Sequence, residues 1–407
     1  MGFDVTPHLR KDLPNPAVPW GGYPELNFVG GHNDPASIPA AALAEAAQRV
    51  IAREGRSLAT YNMDHGPQGY LPLREFIAGR LHRATEMACA PEQVLVVSGS
   101  LQALDLVNAV LIEPGDTVIV EAQTYSGALA RARRAGADWI GIDVDDDGLK
   151  TDQLENTLAE MKARGKRPKY IYTIPTVQNP TGTVMSRDRR LELLRIADAY
   201  DVPIFEDDCY ADLTWDGARP PAIRALDQSG RVIYCGSFSK SLAPALRIGY
   251  VVADWPVLSR MLPAKLDGGT GALEQMALAE YATSHFDDHV VALRGTLKEK
   301  CDAMVGALEE QFGVAAEYRI PRGGIFIWVK LPEAVDTTRL VQAALAEKVL
   351  VNPGADWSAD PDSGRHSIRL CFGHPSIETI RNGVAHLADI CNREFGLPER
   401  SANVARG

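Results

Sequence analysis

A lysine and an arginine lie seven residues apart in the segment that follows the apolar run 232–234, and two serines precede the lysine. Lys240 could hold an aldehyde as a Schiff base, because a guanidinium such as that of Arg247 keeps a nearby lysine amine reactive and also binds anions. The hydroxyls of Ser237 and Ser239 add donors for an anion. The segment therefore predicts a covalent aldehyde anchor beside a phosphate site.

Two other interpretations of these residues stay open. Ser237-Phe-Ser-Lys240 matches the S-x-x-K pattern of serine acyl transfer, although the S-D-N and K-T-G elements that support it are absent from the sequence. Lys240 could also be an exposed lysine at the start of a helix. The nearby Arg247 and the preceding strand favour a ligand site, since open α/β sheets bind ligands at the carboxyl ends of their strands.

A second segment, Ser98-Gly-Ser-Leu-Gln102, ends an apolar run and begins a helical pattern. Small residues at such a turn leave backbone N–H groups free, and the dipole of the following helix favours an anion there. The side chains of Ser100 and Gln102 add donors. Serine is also an ordinary N-cap residue, so the segment predicts either a further part of the anion site or a plain helix start.

Three consecutive carboxylates, Glu206, Asp207 and Asp208, follow the apolar run 202–205. Because like charges repel, these carboxylates need a cation or a protonated ring nitrogen as a partner. Hard metal ions favour clustered carboxylates, but no further acidic residue follows at coordinating spacing, and no metal is predicted. An aspartate three residues before a tyrosine suits a pyridinium ring: Asp207 would keep its nitrogen charged, and the Tyr210 hydroxyl would donate to its phenolate oxygen.

Two further side chains follow predicted strands. Asn179, in Asn179-Pro-Thr-Gly182, lies in a common turn sequence, and its amide could also donate to a ligand oxygen. Tyr125 ends the segment that begins at Glu121, where an aromatic ring could stack on a planar ligand or pack on the surface.

The composition limits the classes of partner. The chain has 407 residues, of which 45% are apolar and 23% charged, and this ordinary globular usage excludes disorder and a small disulfide scaffold. Its 53 acidic against 42 basic residues give a net charge of −11, which disfavours nucleic acid and anionic membrane as partners. No apolar run reaches the length of a membrane span. The six scattered cysteines predict a reduced, cytoplasmic protein.

The elements that must position these residues alternate between strand and helix from about residue 94. Such alternation predicts a doubly wound, mostly parallel sheet. A long helical stretch over 273–312 precedes a smaller α+β region, and the first 45 residues predict an extended arm rich in proline and glycine. The predicted strands of the large sheet are 94–97, 117–120, 139–142, 170–174, 202–205, 232–234 and 248–252.

Taken together, the chain resembles the fold-type I, pyridoxal phosphate-dependent aminotransferases of class I/II, the aspartate aminotransferase superfamily. It is most similar to the 2-aminoadipate and kynurenine aminotransferases and to the aminotransferase-like domains of MocR regulators. The resemblance covers roughly residues 20–395, and its motifs occur in the family's order. They are 26–31, 69–74, 98–102, 114–118, 121–125, 179–182, 206–210, 236–249, 321–326 and 367–370.

The resemblance implies a three-layer αβα large domain around a mostly parallel seven-stranded sheet, with a small α+β domain. Residues 1–45 would form the arm and part of the small domain, 46–285 the large cofactor-binding domain, and 286–407 the C-terminal small domain. The cofactor would be pyridoxal 5′-phosphate (PLP). A homodimer with shared active sites is also implied.

The resemblance further implies that Lys240, Asp207 and Tyr210 are catalytic residues. Lys240 would carry the cofactor as an aldimine and shuttle the substrate proton, and Asp207 would pair with the pyridine nitrogen. Asn179 and Tyr210 would hold the phenolic oxygen, and Tyr125 would stack on the ring. The phosphate would be held by Ser100, the Leu101 backbone, Gln102, Ser237, Ser239 and Arg247.

The substrate carboxylate would meet Arg369, with Asn179 and the Gly31 backbone nearby. The sequence departs from the family pattern at two positions near the implied active site. Tyr61, the candidate for reaching the partner subunit's phosphate, lies eight residues before Gly69 where the family has about five. His32 follows the paired glycines, where it could bind a substrate group or transfer a proton, or face solvent.

The implied activity is transfer of an α-amino group from an amino acid to a 2-oxo acid by a ping-pong mechanism. Other chemistry on the same cofactor stays open at this point: decarboxylation, β-elimination, oxidation or cyclisation of an amino acid. A PLP-sensing regulatory domain without turnover is a third possibility.

Overall fold

The computed structural model describes residues 2–10, 13, 16, 17 and 19–398. Residues 1, 11, 12, 14, 15 and 18 of the predicted arm, and 399–407 of the predicted small domain, lie outside the described residues. The helices are α1 (Ala40–Glu54), α2 (Leu71–Thr85), α3 (Ser100–Leu111), α4 (Ser126–Arg134), α5 (Thr151–Ala163), α6 (Arg187–Ala199), α7 (Ile223–Leu226), α8 (Trp255–Ala264), α9 (Ala272–Gln311), α10 (Thr337–Ala346) and α11 (Ile377–Phe395). The strands are β1 (Leu26–Asn27), β2 (Val94–Val97), β3 (Thr117–Glu121), β4 (Asp138–Ile142), β5 (Val144–Asp145), β6 (Gly148–Leu149), β7 (Ile171–Thr173), β8 (Ile204–Asp207), β9 (Val232–Ser237), β10 (Gly249–Val252), β11 (Glu317–Tyr318), β12 (Phe326–Lys330), β13 (Val349–Leu350), β14 (Asn352–Pro353) and β15 (Ser367–Cys371).

The central sheet has seven strands in the order β2-β10-β9-β8-β7-β3-β4. The pairs from β9 to β4 are parallel, and β10 is antiparallel to both of its neighbours. Each of the seven predicted strands lies in this sheet, so the prediction of a mostly parallel seven-stranded sheet is confirmed. The carboxyl ends of β3, β7, β8 and β9 consequently meet at one edge.

Helices cover both faces of this sheet. Val118 and Val120 of β3 belong to the buried apolar cluster that includes α3 and α4, whereas Ile119 between them packs with α5 and α6. This alternation follows from the two-residue period of a strand. The result is the three-layer α/β architecture that the family resemblance implied.

A second sheet lies beyond the long helix α9, in the order β11-β12-β15-β14. The strand β1 of the arm pairs in parallel with β13, so the two ends of the chain meet there. The predicted boundary at 285/286 falls inside α9, and the division into 1–45, 46–285 and 286–407 stays a prediction. In the described part of the chain, no helix is long and apolar enough to cross a bilayer.

Arg190 of α6 contacts the carboxyl end of β8 on the face of the sheet that packs against α6. Its side chain is 0% exposed, and its guanidinium lies 3.8 Å from the equally buried carboxylate of Glu206. A buried guanidinium requires acceptors for all its donors. Its further partners are the carbonyl oxygens of Pro175, Met185 and Pro221 and the hydroxyl of Thr176.

Replacing Arg190 with methionine should lower the free energy of unfolding by about 3–5 kcal/mol, because it leaves the Glu206 carboxylate buried without its cation. Urea unfolding followed by circular dichroism measures the change. Arg187→Met on the exposed side of the same helix is the control and should shift stability by less than about 0.5 kcal/mol. Equal stability of the two variants would refute this account of Arg190.

Candidate active site

A cavity of about 320 Å³ opens at the carboxyl edge of the central sheet, between that sheet and β12, β14 and β15. Most of the predicted site residues line it, although they come from distant parts of the sequence. They are Gly31, Ser100, Leu101, Tyr125, Asn179, Asp207, Tyr210, Ser239, Lys240, Arg247 and Arg369. Four predicted residues do not line this cavity: Gln102, Ser237, His32 and Tyr61.

Asp207 forms one wall of the cavity at the end of β8. Its Oδ2 accepts a hydrogen bond of 2.8 Å from the hydroxyl of Tyr172. The thiol and backbone N–H of Cys209 lie close to the carboxylate, but no donor reaches its buried Oδ1 with hydrogen-bond geometry. Burial raises the pKa of the Asp207 carboxyl. A buried acceptor without a donor is costly, and a protonated ring nitrogen in the cavity would satisfy it. The expected cofactor therefore fits this wall.

The neighbouring carboxylates of the same run face away from the cavity. Glu206 accepts from the backbone N–H groups of Ile223 and Arg224 at 2.8 and 2.9 Å. Asp208 pairs with the guanidinium of Arg219. Alternation thus turns Glu206 and Asp208 away from Asp207 and gives each its own partners. Burial and the nearby Asp208 still raise the pKa of the Glu206 carboxyl to about 7.

Two thiols lie beside Asp207. Ligand atoms of Asp207, Cys209 and Cys235 lie within 4.8 Å of one another, a spacing that a metal ion could bridge. The contact with Cys235, together with burial, raises the pKa of the Cys209 thiol well above its usual value. Since metals bind thiolates, a metal ion at this position would have to displace the Cys209 proton.

Lys240 enters the cavity from the turn after β9. Its Nζ donates a hydrogen bond of 2.7 Å to the carbonyl oxygen of Gly31. Burial lowers the pKa of the Lys240 ammonium. Glycine at position 31 lets the lysine approach closely, because a Cβ there would lie 2.5 Å from the Lys240 Nζ and would displace the amine. The arm therefore approaches the lysine through a bare backbone.

Asn179 links two predicted functions of the site. Its Nδ2 donates to the hydroxyl of Tyr210 at 3.1 Å, and its Oδ1 accepts from Nη1 of Arg369 at 3.1 Å. Burial raises the pKa of the Tyr210 hydroxyl well above its usual value, so the phenol stays protonated at neutral pH. One amide thus fixes both the tyrosine and the arginine.

Arg369 of β15 is sandwiched between two aromatic rings. Its guanidinium carbon lies 4.0 Å from the ring centre of Phe326 and 3.5 Å from that of Trp357. Burial lowers the pKa of Arg369 to about 10, so the side chain remains charged at neutral pH. Its buried Nε has no hydrogen-bond partner. The guanidinium is thus held rigidly with a donor to spare, as a carboxylate clamp requires.

Sequence reasoning missed two residues of this wall, Trp357 and Asn352. Asn352 of β14 lies opposite Arg369 in the sheet register, and its buried Nδ2 has no partner. Neither belongs to a recognisable chemical motif in the sequence. Only the pairing of β14 with β15 brings them to the site, so no local signal could have identified them.

The opposite end of the cavity has the donors of an anion site. The first turn of α3, with Ser100 and Leu101, faces Ser239 and the guanidinium of Arg247. Arg247 donates to the carbonyl oxygen of Ser98 at 3.0 Å and is exposed. Position 99 favours glycine because its φ of 81° lies in a region that L side chains rarely adopt. A phosphate group fits this cluster of backbone and side-chain donors.

Two predicted phosphate contacts have other partners. The side chain of Gln102 accepts from the backbone N–H of Ser98 at 2.8 Å and donates to Asp267 at 2.7 Å. Ser237 lies beneath the site, where its hydroxyl accepts from the backbone N–H of Ser239 at 3.1 Å. Both residues shape the turns that carry other donors, and their direct contacts with a phosphate stay predictions.

Three aromatic residues complete the comparison with the sequence predictions. Tyr125 lines the cavity, with its ring centre 5.8 Å from that of Trp357. Tyr61 is 87% exposed and borders a separate groove beside Gly268. His32 packs 5.9 Å from the ring of His374, and burial lowers its pKa.

Comparison with known proteins agrees with this geometry. The family model for aminotransferase class I and II matches residues 27–387. An aromatic-amino-acid aminotransferase of Thermococcus litoralis is 35% identical over 91% of this chain and 88% of its own, and a 2-aminoadipate transaminase of Thermus thermophilus is 34% identical over 89% of each. The crystal structure of a kynurenine aminotransferase of Pyrococcus horikoshii, solved with PMP, has a TM-score of 0.85 at 35% identity and covers 91% of each chain.

The family match covers most of the chain, and the fold of its relatives is the fold described above. The cavity has an unpartnered carboxylate oxygen for a pyridine nitrogen and a cluster of donors for a phosphate, as a pyridoxal cofactor needs. The chain therefore belongs to the class I and II aminotransferases, PLP-dependent enzymes that transfer the amino group of an amino acid to a 2-oxo acid.

Proposed function

We propose that the enzyme works through the cavity at the sheet edge, with Lys240, Asp207 and Tyr210 as its catalytic residues. The observation that carries this proposal is the unpartnered Oδ1 of Asp207 in the same cavity as the Lys240 amine. When bound, PLP supplies an aldehyde that condenses with amines and a ring that withdraws electrons from the substrate Cα.

Each catalytic residue has a task that its surroundings support. The carboxylate of Asp207 holds a proton on the pyridine nitrogen. The Tyr210 hydroxyl, fixed by Asn179, donates to the phenolic oxygen. Lys240 Nζ takes the proton from the substrate Cα and returns it, and its lowered pKa increases the fraction of neutral amine at a given pH. Tyr125 stacks on the ring.

The phosphate and the substrate occupy opposite ends of the cavity in this proposal. Ser100, the Leu101 backbone, Ser239 and Arg247 bind the phosphate, with Gln102 and Ser237 supporting them. Arg369 binds the substrate carboxylate beside the carbonyl of Gly31.

Amino donors with aromatic or apolar side chains suit the rest of the cavity wall. Ile174, Phe326 and Trp357 line it, and the cations among its described residues are Lys240, Arg247 and Arg369. Two of these are assigned to the cofactor and the third to the α-carboxylate. A second substrate carboxylate therefore has no cation of its own in the described wall.

Lys240→Ala should eliminate turnover and the visible absorbance of the lysine-bound cofactor, because no other amine takes its place. Stopped-flow absorbance with phenylalanine as donor and a 2-oxo acid as acceptor measures both, and the wild type should release phenylpyruvate and the amino acid formed from the acceptor. Aspartate should react more slowly, since its second carboxylate enters an apolar wall. Lys298→Ala, on the exposed face of α9, is the control and should react like the wild type.

Two results would contradict this assignment. Catalytic turnover by Lys240→Ala would exclude the lysine as the proton carrier. Release of carbon dioxide or ammonia in place of phenylpyruvate would favour another reaction of the same cofactor.

Arg369→Lys and Arg247→Lys should separate substrate binding from cofactor binding. Lysine keeps the charge but loses the bidentate geometry of the guanidinium. Arg369→Lys should raise KM for the amino donor about 10- to 100-fold, since a hydrogen bond to a charged group contributes about 1.5–3 kcal/mol. Arg247→Lys should instead weaken PLP binding, measured by fluorescence titration of the apoenzyme. Weaker PLP binding in Arg369→Lys and a higher KM in Arg247→Lys would contradict the proposal, because Arg369 would then hold the phosphate and Arg247 the substrate carboxylate.

We also propose a homodimer in the cytoplasm, with active sites shared between subunits. The strong exposure of Tyr61 supports this, because a tyrosine ring on the surface of one subunit can pack against a second copy. Free thiols at all six cysteines agree with a reducing compartment. Tyr61 would then complete the phosphate site of the partner subunit.

Mixing Tyr61→Ala with Lys240→Ala should restore activity that neither variant has alone. In random mixed dimers, one site combines intact Tyr61 with intact Lys240, so about a quarter of the wild-type sites should recover. Steady-state assays after unfolding and refolding the mixture measure the recovery. Lys240→Ala refolded alone is the control and stays inactive. A mixture no more active than its components would contradict shared sites.

A further inference from the structure

A short strap of backbone, residues 30–34, closes one side of the active site. The carbonyl oxygen of Gly30 accepts a hydrogen bond of 2.9 Å from Nη2 of Arg369, and that of Gly31 accepts from Nζ of Lys240 at 2.7 Å. Two cations of the site are thus directed by two consecutive carbonyl groups. Their orientation depends on where the strap lies.

A buried lysine outside the cavity fixes the far end of this strap. Lys300 of α9 is buried, and its Nζ donates to Oδ1 of Asp34 at 2.9 Å. The same Nζ donates to the carbonyl oxygen of Gly373 at 3.1 Å and to that of His374 at 3.4 Å. These acceptors match the three N–H donors of an ammonium group.

Lys300 therefore joins the strap to the turn that follows β15, the strand that carries Arg369. The contacts of Asn33 reinforce this junction: its Nδ2 donates to the carbonyl of Leu242 at 3.0 Å, and its carbonyl contacts Nδ1 of His374 at 3.1 Å. Leu242 lies two residues after Lys240. The strap is thus tied to the segments that carry both active-site cations.

Stability alone gives a weak reason for this lysine. A charge buried on a helix loses hydration, and an ion pair in the interior seldom exceeds the stability of apolar residues in its place. Lys298 of the same helix makes the more usual arrangement, an exposed pair with Asp302. The contrast indicates that the contacts of Lys300 serve placement of the strap.

We propose that Lys300 is a positioning residue of the active site. Through Asp34 and the turn after β15, it holds the carbonyl groups of Gly30 and Gly31 where they orient Arg369 and Lys240 for the substrate. This inference rests on the roles proposed above for Lys240 and Arg369.

The test uses the PLP-loaded, full-length enzyme with both partners neutralised, Asp34→Asn with Lys300→Met, so that neither charge is left buried and unpaired. KM for the amino donor should rise about tenfold because Arg369 loses its orientation, and kcat should fall about threefold because Lys240 loses the carbonyl group that directs its amine. Hydrogen–deuterium exchange of residues 30–34 should become faster. PLP affinity should stay unchanged.

Lys298→Met is the matched control and should leave KM and the exchange of the strap at their wild-type values. A wild-type KM in the double variant, or unchanged exchange at residues 30–34, overturns the proposal. An equal loss of kcat, PLP binding and stability also overturns it, since that pattern indicates a general structural role. Failure of the proposed function gives a different result: Lys240→Ala and Arg369→Lys then keep their activity, whatever the strap variants do.

Discussion

The burial of three successive carboxylates at the end of β8 is the constraint around which the site is arranged. A carboxylate in the interior needs a cation or several donors, and three in a row cannot share one partner. Strand alternation sends Glu206 and Asp208 to Arg190 and Arg219 behind the sheet. Asp207 alone turns to the cavity, where one of its oxygens keeps an unfilled position. A ring nitrogen bound there would complete a set of pairings that the protein leaves incomplete by itself.

Two cations of the cavity, Lys240 and Arg369, are also at least partly buried, with few charged partners. Burial lowers the pKa of both Lys240 and Arg369, and the two side chains suit different tasks. Arg369, with a pKa of about 10, remains fully charged at neutral pH and can bind a carboxylate throughout the physiological range. Lys240 has a larger neutral fraction than an exposed lysine, which a group that must accept a proton requires. Aromatic rings and backbone carbonyl groups, which carry no full charge, hold the arginine without neutralising it.

Local sequence signals predicted the sheet and the cavity residues that belong to motifs, because both depend on short stretches of chain. These local signals did not predict the features that depend on contacts between residues distant in the sequence. The apolar run predicts that β8 ends at Phe205, yet the strand continues to Asp207, because Glu206 and Asp207 still pair with Tyr234 and Cys235 of β9. The side chain of Gln102 is drawn to Asp267, a residue distant in sequence. Trp357 and Lys300 lie in ordinary apolar or helical patterns, and only the folded chain brings them to the site.

The net charge of −11 disfavours polyanions at long range, but a cavity responds to its own wall. Lys240, Arg247 and Arg369 line this one together with the single carboxylate of Asp207, so its local balance is positive. Two of these cations lie at opposite ends of the cavity, Arg247 beside the N-terminus of α3 and Arg369 on β15. A ligand with a phosphate at one end and a carboxylate at the other would match both, and an apolar middle would match the rings of Tyr125 and Phe326. If the proposed assignment holds, the order of charges along the cavity would set the direction in which cofactor and substrate lie.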